Sequence, residues 1–195
     1  MAGPFDEPED ATPLDPEERA GLLQTWITFR HELNQAEQAN IVAGLAWARR
    51  SRRPELLSVE FLRQFHRKMF GDVWTWAGQF RNTERNIGIA PTEIGVEVRK
   101  ALDDARFWID HRVYPADEIA VRLHHRLVAI HPFPNGNGRI TRLLADLIAE
   151  KLGSRAFTWG RQDLTTINGT RARYIEALRA ADRHDIGPLL KFARS

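Results

Sequence analysis

The stretch from Pro115 to Gly153 limits what this chain can fold into more than any other. Ile119, Leu123, Leu127 and Ile130 recur at steps of four and three, and so do Ile140, Leu143, Leu144, Leu147, Ile148 and Leu152. That is the spacing of two amphipathic helices. Between them lies HPFPNGNGR. Asn-Gly twice within four residues ordinarily signals a tight β-hairpin, yet these glycines fall directly before a helical run. Two helices joined by so short a connection pack as antiparallel neighbours, so the expected fold class is an all-α bundle.

The rest of the chain fits that expectation. Residues 1–16 are acidic, proline-rich and poor in apolar side chains, which suits a flexible arm, leaving residues 17–195 as one domain. From about Glu17 to Arg49, Leu22, Trp26, Phe29, Leu33, Ala36 and Asn40 keep helical spacing, predicting one long helix or two with a bend. Ser58 is placed to cap the next helix and Gly71 to stop it, with Leu62, Phe65 and Met69 inward. WTWAGQFRNTERNIGIAP then loses the helical period; Ile87 and Ile89 alternate around Gly88, predicting a short β-hairpin or an extended flap. Helices resume at VEVRKALDDARFWID, and two more are expected in the C-terminal third, separated near His184 and Gly187.

Composition narrows the function classes. The 195 residues contain no cysteine, which removes disulfides, thiolate metal sites and a thiol nucleophile. No run approaches the roughly 20 apolar residues of a membrane span, and the first residues lack the pattern of a signal peptide, so a cytoplasmic location is expected. Net charge is only +2, so nucleic-acid binding draws little support; RSRRPE reads as a solvated helix end.

The loop itself carries chemistry. PNGNG places two glycines before a helix whose first amides have no intrahelical acceptor, and together these make a nest for phosphate. Arg139 and Arg142 share a face of the first turn and suit bidentate contacts to phosphate oxygens, although cations there oppose the helix dipole. That unfavourable placement is offset only when an anion binds. Asn135 and Asn137 can orient phosphates, ligate a metal through their carbonyl oxygens or cap the helix. Phe133 reads as a buried anchor. His131, beside the nest, suits a general base that deprotonates a hydroxyl attacking phosphorus.

These residues closely resemble the signature of the Fic family, HxFx[DE]GNGRxxR, matched at His131, Phe133, Gly136, Asn137, Gly138, Arg139 and Arg142. The resemblance extends upstream through FGDVWTWAGQFR and NIGIAP and downstream to YIEALRAADRHDIGPLLKFA. More narrowly, the chain resembles the bacterial branch labelled mobile mystery protein B. The resemblance implies a helical Fic domain over residues 17–195 with one hairpin flap, and a protein adenylyltransferase that moves AMP from ATP, with Mg2+, to a Ser, Thr or Tyr hydroxyl of a target protein. His131 would be the base; Gly136, Asn137 and Gly138 the anion hole; Arg139 and Arg142 the phosphate ligands, Arg142 toward the γ-phosphate. Asn86, Ile87, Gly88 and Ile89 would form the target-binding flap, by strand addition. Asn135 stands where the family has an acidic metal ligand, keeping a carbonyl oxygen but losing the charge.

Many family members also carry an inhibitory helix of the pattern [ST]xxxE[GN], whose glutamate pairs with the second arginine. Thr28 to Glu32 fits its first half, while Glu37 lies about 40° from Leu33 on the helical wheel, against about 100° for Glu32. Both are candidate regulators. Three other readings stay open: a Fic-type transferase with another donor, a weak Fic scaffold that acts as a binding protein, and a metal hydrolase built on His124, His125 and His131. A regulatory partner or a second copy of the chain completes the expected partners; neither nucleic acid nor membrane is among them.

Overall fold

A computed structural model describes residues 3–5, 14–50, 55–161 and 169–195. Most of the expected N-terminal arm and the basic Ser51–Pro54 stretch lie outside the described residues. Among those described there are eight α-helices and no sheet: α1 (Pro16–Arg19), α2 (Arg30–Arg50), α3 (Val59–Phe70), α4 (Ile94–Asp110), α5 (Ala116–Ile130), α6 (Asn137–Lys151), α7 (Gly169–Asp182) and α8 (Gly187–Ala193).

Local chemistry sets the helix ends. The Ser58 hydroxyl accepts from Phe61 N at 3.0 Å, and the Gly71 N–H closes α3 on the Arg67 carbonyl at 2.8 Å. At α1, Asp15 and Glu18 form a reciprocal capping box. Each helix then buries its apolar stripe. α2 packs on α3, α5 lies between α4 and α6, and α7 packs on α8. Leu62, Phe65 and Met69 of α3, Leu123 and Leu127 of α5, and Ile140 and Leu144 of α6 are almost wholly withdrawn from solvent. At roughly 1.5–3 kcal/mol for each large side chain buried, these seams outweigh any single polar contact.

Two expectations need correction. The helix expected from Glu17 is broken: residues 20–29 are not helical, and Trp26 is 61% exposed rather than part of the stripe. The backbone there pairs elsewhere. Leu23 N donates to Val73 O and Thr75 N to Gly21 O, each at 2.9 Å, around a bridge between Leu22 and Trp74. The helix can begin only after that, where the Glu32 carboxylate accepts from Thr28 N and Phe29 N at 2.8 and 3.0 Å.

The flap is irregular and is not a hairpin: residues 79–90 carry bends and no strand. Its backbone ends bond to the end of α5 and the loop after it: Arg81 N donates to Pro132 O at 2.9 Å and Ile89 N to Ile130 O at 3.3 Å. The Arg81 guanidinium takes up the carbonyls that strand pairing would have used, those of Thr83 (2.8 Å), Ile89 (2.5 Å) and His131 (2.7 Å).

Candidate active site

The loop between α5 and α6 is built by hydrogen bonds of its own residues. His131 ends α5 in the left-handed region at φ 55°, ψ 60°, donating its N–H to Leu127 O at 3.1 Å. A non-glycine residue held there is strained and needs its surroundings to fix it. The Arg81 bond to its carbonyl does so. Asn137 then closes the loop: its side chain accepts from Phe133 N at 2.9 Å and donates to Phe133 O at 2.8 Å. The Asn137 carboxamide is therefore a structural clamp, and what it offers an anion is its backbone amide at the start of α6.

Gly136 sits at φ 78° as the N-cap of α6, and a Cβ there would lie 2.6 Å from the Phe70 ring. Only glycine lets the loop rest on that floor. Below it, His66 joins the loop to the segment before the flap, its Nδ1 accepting from Gly78 N at 2.9 Å and its Nε2 lying 3.1 Å from Asn135 O. Those partners require a neutral ring with the proton on Nε2; burial pushes its pKa down to about 3, with the Arg139 charge adding to the shift.

The two arginines are held separately. Arg139 lies 4.8 Å above the Phe70 ring and pairs with Glu37. The Glu37 carboxylate is buried and also accepts from Trp74 Nε1 at 2.7 Å. Arg142 lies 5.4 Å from the Tyr174 ring centre and folds back toward the start of α6, so close that a Cβ on Gly138 would be 3.2 Å from its Nη1. Glu37 thus reaches the first arginine, where the family pattern had led us to expect the second. Glu32, the other candidate regulator, is half-buried and caps α2.

The His131 imidazole is buried against the flap, and a Cβ on Gly88 (φ 100°) would come within 2.7 Å of His131 Cβ. Burial lowers its pKa to about 4, and the nearby charges of Arg81 and Arg85 push the same way. The ring is a free base at neutral pH. Of the flap residues expected to meet a target, Asn86, Ile87 and Gly88 are exposed and Ile89 is partly buried.

Asn135 does not present an open metal ligand. Its Oδ1 accepts from Gly136 N at 2.5 Å and from Arg139 Nη2 at 3.3 Å, so the one oxygen a cation would use faces a guanidinium. The three histidines of the hydrolase reading are engaged apart: His124 with the Tyr174 hydroxyl at 3.0 Å, His125 with Asp182 at 2.8 Å, and His131 at the loop. Sequence reasoning gave no role to Phe70, His66 or Tyr174, and none to Arg81 and Arg85 beyond their place in the flap. Phe70, His66 and Tyr174 read as core side chains, Arg81 and Arg85 as two of many surface arginines, and only the fold brings them under or beside the loop.

Comparison with known proteins bears on the fold and the family. The Fic/DOC family model matches residues 56–149. Protein adenylyltransferase Fic of Nematostella vectensis is 28% identical over 142 residues, covering 71% of this chain but 32% of that protein. For fic-1 of Caenorhabditis elegans the values are 27% over 147 residues, 73% and 27%; the chain thus spans about a third or less of these relatives. Among solved structures, C. elegans Fic-1 superposes with TM-score 0.63 at 25% identity, covering 90% of this chain and 56% of that one. BepC of Bartonella tribocorum, solved with bound AMPPNP, gives TM-score 0.68 at 17% identity, covering 92% and 97%. Among the described residues no helix is long and apolar enough to cross a membrane. With the family model matched, the helical fold shared and the glycine loop in place between α5 and α6, residues 56–149 of this chain form a Fic/DOC domain.

Proposed function

We propose that this chain is a protein adenylyltransferase that moves AMP from ATP to a hydroxyl side chain of a target protein. The observation that carries the reading is the neutral His131 ring lying between the flap and a glycine-rich helix N-terminus that bears two arginines. The triphosphate lies on the first amides of α6, at Asn137, Gly138 and Arg139, where the dipole and both guanidinium groups favour it. The target lies along the flap.

The acceptor oxygen attacks the α-phosphorus in line with the bond to the bridging oxygen. That bond breaks, pyrophosphate leaves and AMP stays on the acceptor as a phosphodiester. The hydroxyl proton passes to His131 as the new P–O bond forms. A base with a pKa near 4 is weak in the free protein, but a bound triphosphate places negative charge beside it and raises that value. Pre-organised amides and guanidinium groups stabilise the charge that develops on the phosphates.

Mg2+ we assign to the nucleotide rather than to the protein, because Asn135 is neutral and already hydrogen-bonded; there it would offset charge on the phosphates. Glu37 holds the free protein in check: the guanidinium it occupies is one the phosphates need. The names of the relatives and the AMPPNP bound to BepC support this reading.

The test is incubation of the Glu37→Gly variant with ATP labelled at the α-phosphate, and separately at the γ-phosphate. Protein-bound label from the first alone supports AMP transfer. Label from the second would make the chain a phosphotransferase, and label from neither would remove the reading.

A further inference from the structure

The segment from Leu14 to Leu23 lies across the molecule beside the flap. The Glu18 carboxylate pairs with the Arg85 guanidinium of the flap, and the Asp15 carboxylate lies 3.7 Å from the same group. Little of this is wet: the Arg85 side chain is 6% exposed and that of Glu18 10%. The Glu18 carbonyl accepts from Trp76 Nε1 at 3.0 Å, and beyond it the chain continues into the contacts with Val73 and Thr75.

As a structural clamp this contact is poor. Glu18 Oε1 and Arg85 Nε are both buried with no hydrogen-bond partner, and burial raises the Glu18 carboxyl above its ordinary range. A desolvated pair with unmet hydrogen bonds returns little net stability. An apolar pair would seal the same seam better. The position is telling, because the Arg85 charge reaches the His131 ring. Whatever takes the place of Glu18 on Arg85 arrives beside the base.

Resting on the reading of this site as a protein-modifying transferase, we propose that Arg85 recognises a carboxylate on the target near the acceptor hydroxyl, and that Glu18 occupies it in the resting protein as an internal stand-in. The covering segment offers the flap two things: an acidic side chain for Arg85 and a backbone carbonyl for the Trp76 indole. An acidic stretch of a target offers the same two. Arginine suits the task, since its planar fork can take both oxygens of one carboxylate. This hold is separate from that of Glu37, which engages the phosphate side. The two meet at the Trp74 and Trp76 rings, stacked at 4.9 Å, one bonded to Glu37 and the other to Glu18.

The test uses two fluorescent peptides with one threonine each, identical except for Glu or Gln three residues from it, added to the full chain carrying Glu37→Gly. Binding is read by anisotropy and AMP transfer by mass. Glu18→Gln should raise affinity and kcat/KM for the Glu peptide about tenfold, leave the Gln peptide unchanged and leave ATP affinity unchanged. Adding Arg85→Gln should abolish the preference, and Arg85→Lys should restore part of it, which separates recognition from misfolding. Equal binding of the two peptides by the Glu18→Gln protein, or a preference that survives Arg85→Gln, overturns the proposal. If no nucleotide labels peptide or protein, the transferase reading fails, while the anisotropy still decides the role of Arg85.

Discussion

Glu37 and Arg139, 102 positions apart in the chain, form an ion pair that joins α2 to the first turn of α6. The carboxylate is almost fully buried, and its second oxygen is held by the Trp74 indole. In the proposed function, a carboxylate held on the arginine nearest the glycine loop competes with the phosphates for it.

Replacing Glu37 therefore separates stability from activity. Glu37→Gln keeps an acceptor for Trp74 and removes the charge, so the fold should lose about 1–3 kcal/mol while AMP transfer rises tenfold or more. Chemical denaturation and labelling on the same preparation check both. A variant that is less stable and no more active would show the pair to be purely structural.

Acid should weaken the fold earlier than in a protein with exposed histidines. His66 and His131 have folded pKa values of about 3 and 4, depressed by burial. The unfolded chain thus binds protons that the folded one does not. Their contribution is complete above about pH 6.5 and is lost as pH falls toward the folded values, by up to about 1.4 kcal/mol per pH unit for each ring. Urea melts between pH 7.5 and 4.5 should show this slope, and His66→Asn should reduce it. A flat profile from pH 7 to 5 would contradict the burial of both rings.

The floor of the loop is tested by Gly136→Ala. The left-handed backbone and the 2.6 Å approach to Phe70 leave no room for a methyl group. The variant should lose about 2 kcal/mol or more of stability and bind ATP at least tenfold more weakly, by calorimetry. Unchanged nucleotide affinity would mean that the loop does not carry the phosphates.

Restoring an acid at the loop is informative in the other direction. Asn135→Asp places a charge beside Arg139 and gives a cation a carboxylate. Transfer should then reach half its maximum at roughly tenfold less Mg2+. An unaltered Mg2+ dependence would show that the metal is held by the nucleotide alone in both proteins.

Much of this arrangement could be read from residue order because it is local. The caps at Ser58 and Gly71, the stripes of α3, α5 and α6, and the turn of HPFPNGNGR into a helix all depend on neighbours within a few positions. Pairing across the fold could not be read in that way. A helical wheel turns Glu37 inward but does not say which arginine stands opposite, since that depends on how far α2 slides along its neighbours. Trp26 kept helical spacing by chance, its backbone neighbours being drawn off to Val73 and Thr75. The flap looked like a hairpin because Ile87 and Ile89 alternate, but Arg81, fifty residues from His131, takes the carbonyls that a second strand would have needed.

In the proposed function His131 is the base and the α6 N-terminus holds the nucleotide. The most direct measurement compares His131→Ala with the parent, both carrying Glu37→Gly, for ATP affinity and for transfer of label from the α-phosphate. Transfer should fall at least about a hundredfold while ATP affinity stays within a few fold. Transfer that survives the substitution, or nucleotide binding that is lost with it, would contradict the role assigned to His131.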